Sequence, residues 1–282
     1  MPNIQRTPTH FEYRSKRIGF SLWSNLLPGQ KPDVAILLGA GQIEPLPRMV
    51  AKRSGPGVVV IGGVPHWHAR ADASEVADFT YCYFESAYRA ALATFHVPSL
   101  HILAESQAAP AGLLLAGKLK EAVRNVALIR PLGFSVEAYG ENPEERLKTF
   151  RRRILRTMLQ HRQSILYDPR NFVATATLTR AMLREPSLKS LNQKYAAGIS
   201  YDSTKDLEQA AEIRDKTGNT ISIILGGKDK MFPATEVQAT LKNLHIPQVE
   251  VVVLPGASHS PISIRDSQKV LKTSLDMLRG SR

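Results

Sequence analysis

Six short runs dominated by apolar residues set the rhythm of this chain. They are Val34-Ala35-Ile36-Leu37-Leu38, Val58-Val59-Val60-Ile61, residues 100–104, residues 126–129, Ile221-Ser222-Ile223-Ile224-Leu225 and Val249-Glu250-Val251-Val252-Val253-Leu254. A strand that is apolar on both faces must be covered on both faces, which is the condition of a parallel sheet. Between the runs, apolar positions recur at helical spacing. Val76, Phe79, Tyr83, Phe84, Ala87 and Ala91 predict a helix over Ala73–Phe95. Residues 108–123, 235–244 and 264–278 predict three more. At the start, Phe11, Tyr13, Ile18, Phe20 and Leu22 alternate loosely, which predicts an entry hairpin over residues 10–23 with Lys16-Arg17 at its turn. Strands alternating with helices predict an α/β fold with a mostly parallel sheet and helices on both faces.

The rhythm breaks between residues 134 and 202. No buried-strand run occurs there, and Leu147, Phe150, Ile154, Leu155, Met158 and Leu159 form one stripe at helical spacing among Lys148, Arg151, Arg152, Arg153, Arg156 and Arg162. We expect a core built from residues 1–133 and 203–282, with residues 134–202 inserted as a helical cap over the carboxyl ends of the strands. The apolar stripe is expected to pack against that core.

Composition changes this picture little. The 282 residues are 43% hydrophobic and 22% charged, which suits one large globular domain. Cys82 is the sole cysteine, so neither an intrachain disulfide nor a cysteine-based metal site can form. The first twenty residues carry Arg6, Arg14, Lys16 and Arg17 without a long apolar run. No secretory signal or bilayer span is expected, and the expected location is the cytoplasm. The net charge of +12 could serve an anionic partner. No zinc-finger spacing, RNP-like strand or helix-turn-helix signature accompanies it, so no nucleic-acid partner is expected. Weak association of the basic cap with anionic surfaces is the expectation that remains.

The chemistry sits at the strand ends. Ser106 closes the run His101-Ile102-Leu103-Ala104-Glu105 and opens a helical stretch, with Ala104 and Ala108 as small flanks. A serine at such a strand-to-helix corner stands clear of the sheet. A helix N-cap is the alternative role. Asp229 follows a later strand in Gly226-Gly227-Lys228-Asp229, where a turn role is the alternative. His259 follows the last strand in Pro255-Gly256-Ala257-Ser258-His259. A parallel sheet delivers all such loops to one edge.

In these segments the chain resembles the α/β-hydrolase superfamily, in particular its lidded esterase-like branch. The resemblance covers nearly the whole chain. It rests on the Gly39-Ala40-Gly41-Gln42 turn, the serine corner, the Gly-x-Asp segment with its downstream proline, and the Gly-x-x-His segment. It implies a serine hydrolase acting on an ester, thioester or related acyl bond of a small molecule. Ser106 would be nucleophile, His259 base and Asp229 the acid, in the chain order of that fold. The Gln107 N–H and the Gly41–Gln42 loop would stabilise the oxyanion. No cofactor or metal is implied. Alanines stand where relatives carry glycines at the corner, and Gly39-Ala40-Gly41 stands where many carry a histidine-glycine pair. A weakly active or inactive hydrolase-fold binding protein is therefore the alternative.

Other features carry less. His66 and His68 have metal-ligand spacing but no third ligand, and read as loop histidines over a cleft rim. By the resemblance, Asp72 falls in a structural turn. Glu105 either faces the cleft or caps a neighbour. Gly39-Ala40-Gly41 lacks the third glycine and the acidic residue of a dinucleotide loop.

Overall fold

The computed structural model describes residues 4–13, 15–39, 46–62, 73–167, 199–259 and 264–280. Eight strands form one sheet: β1 (Gln5–Tyr13), β2 (Lys16–Asn25), β3 (Val34–Gly39), β4 (Val58–Gly62), β5 (Leu100–Glu105), β6 (Val123–Ile129), β7 (Ile221–Gly226) and β8 (Val249–Leu254). Their order is β1-β2-β4-β3-β5-β6-β7-β8. The β1–β2 and β2–β4 pairings are antiparallel, and all others are parallel. Seven helices are seen among the described residues: α1 (Leu46–Ser54), α2 (Ala73–Phe95), α3 (Ala109–Leu119), α4 (Pro143–Tyr167), α5 (Thr204–Thr217), α6 (Ala234–Leu244) and α7 (Ile264–Leu278).

The solid apolar runs are explained by two cores. Side chains alternate across a strand, so Ala35, Leu37, Val59, Ile61, Ile102, Ile223 and Leu225 enter the core beneath α2, α3, α5 and α6. Ile36, Leu38, Val58, Val60, Leu103 and Ile224 enter the opposite core, beneath α1 and α7. A polar residue on either face would lose its water, which is why the pattern shows no alternation.

Three expectations need correction. Tyr13 pairs with Lys16, so the hairpin reverses before Lys16-Arg17, and both belong to β2. That register pairs Phe11 with Ile18 and buries both, while Ser15 takes the left-handed φ of 63° the tight reversal requires. The helix expected to reach residue 123 ends at Leu119, and β6 begins at Val123. Lys120 turns the chain with φ 44°, and the buried Arg214 of α5 donates to the carbonyls of Lys120 and Val123 there. The bond to Lys120 satisfies a carbonyl that the ended helix leaves open, and the bond to Val123 ties α5 to the start of β6.

The third correction concerns the stripe on α4. Phe150 is buried and Ile154 packs on the core, but Leu155 and Leu159 are 59% and 51% exposed. The stripe is wider than the contact: one edge reaches the core and the other faces outward. Residues 168–198 of the expected cap lie outside the described residues.

Candidate active site

The strand order turns at β3. From there the chain steps to β4 on one side, then crosses to β5 on the other. Loops leaving the carboxyl ends at such a reversal diverge and open a crevice. Ser106 lies at that point.

Ser106 follows β5 directly and begins a short 3-10 turn, Ser106–Ala108, that leads into α3. Its φ of 53° lies in the left-handed region, which costs a non-glycine residue roughly 1–2 kcal/mol. Close packing and two backbone bonds to its carbonyl, one from Ala109 N–H and one from Leu132 N–H, hold it there. Leu132 N–H donates to the Ser106 carbonyl at 3.1 Å. Ala104 and Ala108 are fully buried. A Cβ built on Gly112 would stand 3.0 Å from the Ala104 methyl, and one on Gly39 would stand 3.0 Å from the Ala108 methyl and 2.1 Å from the Phe84 ring. Glycine backbone meets packed side-chain carbons at this corner, so small residues are a steric requirement there.

Asp229 lies in the loop after β7 and is buried. Its Oδ1 accepts the N–H groups of Met231 and Phe232 at 2.8 and 2.9 Å. Its Oδ2 lies 3.0 Å from His259 Nδ1. With the carboxylate ionised, Nδ1–H donates to it and Nε2 is left as acceptor. Nε2 lies 3.2 Å from Ser106 Oγ, so the hydroxyl donates to it. The imidazole also meets the Phe232 ring edge to face, with centroids 4.9 Å apart.

The loops after β7 and β8 interlock to make this possible. Gly227 N–H donates to Leu254 O at 2.9 Å, and Lys228 N–H to Ala257 O at 2.8 Å. A Cβ at Gly226 would stand 2.6 Å from the Ala257 carbonyl oxygen, so only glycine lets the two loops approach.

A second layer ties the acid loop to α4. Tyr139 Oη donates to Met231 O at 2.5 Å. Burial pushes that phenol well above its ordinary range, so it stays a donor. Arg153 of α4 donates to Met231 O at 3.0 Å, to Ala138 O at 3.1 Å and to both Glu236 oxygens at 2.8 and 2.9 Å. Its guanidinium stacks 4.4 Å over the Tyr139 ring. Arg130, just past β6, donates to the Glu105 carboxylate and to the Ser258 carbonyl.

Of the residues singled out in the sequence, Ser106, His259 and Asp229 thus form one hydrogen-bonded line. Gln107 stands next to Ser106 in the 3-10 turn. Gly41, Gln42, His66, His68 and Asp72 lie outside the described residues. Glu105, left open between two roles, pairs with Arg130. Among the described residues no group of three or more His, Cys, Asp or Glu side chains is placed to hold a metal. Sequence reasoning passed over Arg130 and Tyr139 and placed Arg153 only among the cations of the cap. A signal existed for Arg130 alone: it ends an apolar strand at the edge where Ser106, Asp229 and His259 lie. Tyr139 and Arg153 meet the site only through tertiary contacts, which no local pattern marks.

The family model described as alpha/beta hydrolase fold matches residues 65–265. No curated protein matches the chain. Among solved structures, an esterase of Pyrococcus furiosus is similar at 11% identity, covering 98% of this chain and 91% of its own, with a TM-score of 0.60. Est1E from Butyrivibrio proteoclasticus is similar at 10% identity, over 97% and 98% of the two chains, with a TM-score of 0.56. A serine hydrolase from Cycloclasticus zankles is similar at 12% identity, over 98% and 99%, with a TM-score of 0.59. At these identities the likeness is one of fold.

Proposed function

We propose that this chain, which belongs to the α/β-hydrolase fold family, is a serine hydrolase that cleaves an ester, thioester or related acyl bond of a small molecule. The observation that carries the reading is the line from Ser106 Oγ to His259 Nε2 and from His259 Nδ1 to a buried, doubly anchored Asp229 carboxylate. A lone surface serine needs no such arrangement.

The chemistry follows from those contacts. A serine hydroxyl is a poor nucleophile at neutral pH. As Ser106 Oγ attacks the carbonyl carbon, His259 Nε2 takes its proton. The Asp229 carboxylate holds the ring in the accepting tautomer and stabilises the imidazolium. The carbonyl electron pair moves to oxygen, and the Gln107 N–H would receive that charge, with the Gly41–Gln42 segment the expected second donor by the family resemblance. Each such donor is worth about 3–4 kcal/mol in the transition state. Collapse expels the alcohol or thiol, which takes the proton from His259, and leaves an acyl group on Ser106. Water then gives its proton to His259 and attacks the acyl carbon, releasing the acid and restoring the serine.

A serine-directed fluorophosphonate tests this. The folded protein is expected to be labelled at Ser106, and Ser106→Ala to abolish labelling while lowering ester turnover by on the order of a millionfold. Folded wild-type protein that stays unlabelled and turns over no activated aryl ester would instead make this a hydrolase-fold binding protein.

The outer face of α4 suggests a location for that activity. Leu155 and Leu159 are exposed, and Lys148, Arg152 and Arg156, also exposed, share their face of the helix. Apolar side chains ringed by cations suit weak docking to an anionic lipid surface. Flotation with phosphatidylglycerol vesicles should carry the protein upward at low salt. Equal recovery with pure phosphatidylcholine vesicles would refute the docking.

A further inference from the structure

We infer that Arg130 is a positioning residue that locks the Ser106 corner to the His259 loop, an inference that rests on the serine-hydrolase reading of the same site. Arg130 stands immediately past the carboxyl end of β6, the strand between β5 and β7. It is 2% exposed and has a left-handed φ of 47°. Its guanidinium reaches two places at once. One nitrogen donates to the carboxylate of Glu105, the residue before Ser106. Another donates to the carbonyl of Ser258, the residue before His259. The two atoms that must meet for proton transfer are each one residue from an Arg130 bond.

The backbone around Arg130 supports the same role. Its N–H donates to Ile224 O of β7 at 2.8 Å, and Leu132 N–H donates to the Ser106 carbonyl at 3.1 Å. A three-residue segment thereby touches β7, the nucleophile's own peptide and, through the guanidinium, the histidine loop. Ser106 needs such support, because a left-handed non-glycine backbone persists only where its surroundings over-determine it. Ser258 is fully buried, so its carbonyl depends on a protein donor.

The choice of arginine has a physical reason. A guanidinium is a planar fork whose donors point in fixed, divergent directions, so it can bridge two acceptors without losing either. Glu105 forms an ion pair with the buried guanidinium while keeping its own side chain 32% exposed. A lysine offers one compact head and can serve one acceptor well. Arg130 itself touches no reacting atom. Its effect is on the Oγ to Nε2 distance, and a misplacement of about 1 Å costs on the order of a hundredfold in rate.

The experiment compares wild type, Arg130→Lys and Glu105→Gln, each normalised to folded protein by near-ultraviolet circular dichroism. Two readouts are taken: the rate of fluorophosphonate labelling, and kcat and KM on an activated aryl ester. Arg130→Lys is expected to lower the labelling rate and kcat together by tenfold or more, with KM within threefold. Glu105→Gln keeps an acceptor for the guanidinium and should lose less than Arg130→Lys. Folded Arg130→Lys that labels at the wild-type rate would overturn the positioning role and leave the hydrolase reading intact. Absence of labelling in wild type would overturn the hydrolase reading itself. Should Arg130→Lys fail to fold, Glu105→Gln decides: a weakened guanidinium bridge must slow labelling at least threefold, and an unchanged rate sinks the inference.

Discussion

Replacing Arg153 with methionine should cost about 2.5–3 kcal/mol of stability. The figure follows from what each partner can do after the change. Glu236 loses two bonds at 2.8 and 2.9 Å, but its side chain is 29% exposed, so water re-solvates it. The pair is therefore worth about 1 kcal/mol, not the 3–5 of a fully buried pair. Met231 O keeps its bond from Tyr139 Oη, and Ala138 O lies near solvent, so each lost carbonyl bond costs about 0.5 kcal/mol. Loss of the guanidinium over Tyr139 adds about 0.5–1 kcal/mol. Methionine preserves much of the stem packing. At roughly 2–4 °C per kcal/mol for a chain near this size, Tm should fall by about 5–12 °C. Urea denaturation should show a lower midpoint with an unchanged slope. A cycle with Glu236→Gln should return a coupling of about 1 kcal/mol. If Arg153→Met unfolds within 0.5 kcal/mol of wild type, or the two changes are additive, the bridge between α4 and the acid loop carries no energy.

Three further outcomes follow from named contacts. Asp229→Asn should fold, because its Oδ1 can still accept from Met231 and Phe232, but the amide would then face His259 Nδ1 as a donor and force the wrong tautomer; kcat should fall about ten-thousandfold with KM little changed, and a loss under a hundredfold would contradict the assigned geometry. His101 is buried beside Arg124, and burial first, then that charge, lowers its pKa from 6.5 to about 4. The unfolded chain therefore binds the proton first, so stability rises with pH between about 4 and 6.5 by up to roughly 3 kcal/mol. Wild type should lose that increment on acidification while His101→Asn does not, and parallel stability curves would refute it. Tyr83 Oη is buried with no partner among the described residues, and burial raises its pKa. Tyr83→Phe should therefore stabilise by about 1 kcal/mol in urea denaturation, and a loss of similar size would reveal a missed partner.

Much of this architecture could be read directly from the chain. Each apolar run marks a strand because both faces of the sheet are covered. The helix over Ala73–Phe95 follows from its spacing alone. The helices at α1 and α5 gave a weaker signal, since they bury little more than Val50 and Ala51, or Leu207, Ala210 and Ala211, among charged neighbours. At the site, sequence pointed to Ser106, Asp229 and His259 because each follows a strand, and a parallel sheet sends the loops after its strands to one edge. The structure sets them within hydrogen-bond reach.

The division between the two sources has a physical cause. Burial periodicity is local: a residue's solvent preference is written in its own side chain and its near neighbours, so the strands, most helices and the sheet edge at which Ser106, Asp229 and His259 gather were determined by the sequence itself. Partnership is not local. That Arg130 holds Glu105 and Ser258 depends on β6 lying between β5 and β7, and that Arg153 holds Met231 depends on how α4 crosses the loop after β7. Only the tertiary structure could decide those contacts, because a charge takes its partner from whatever the strand order brings beside it.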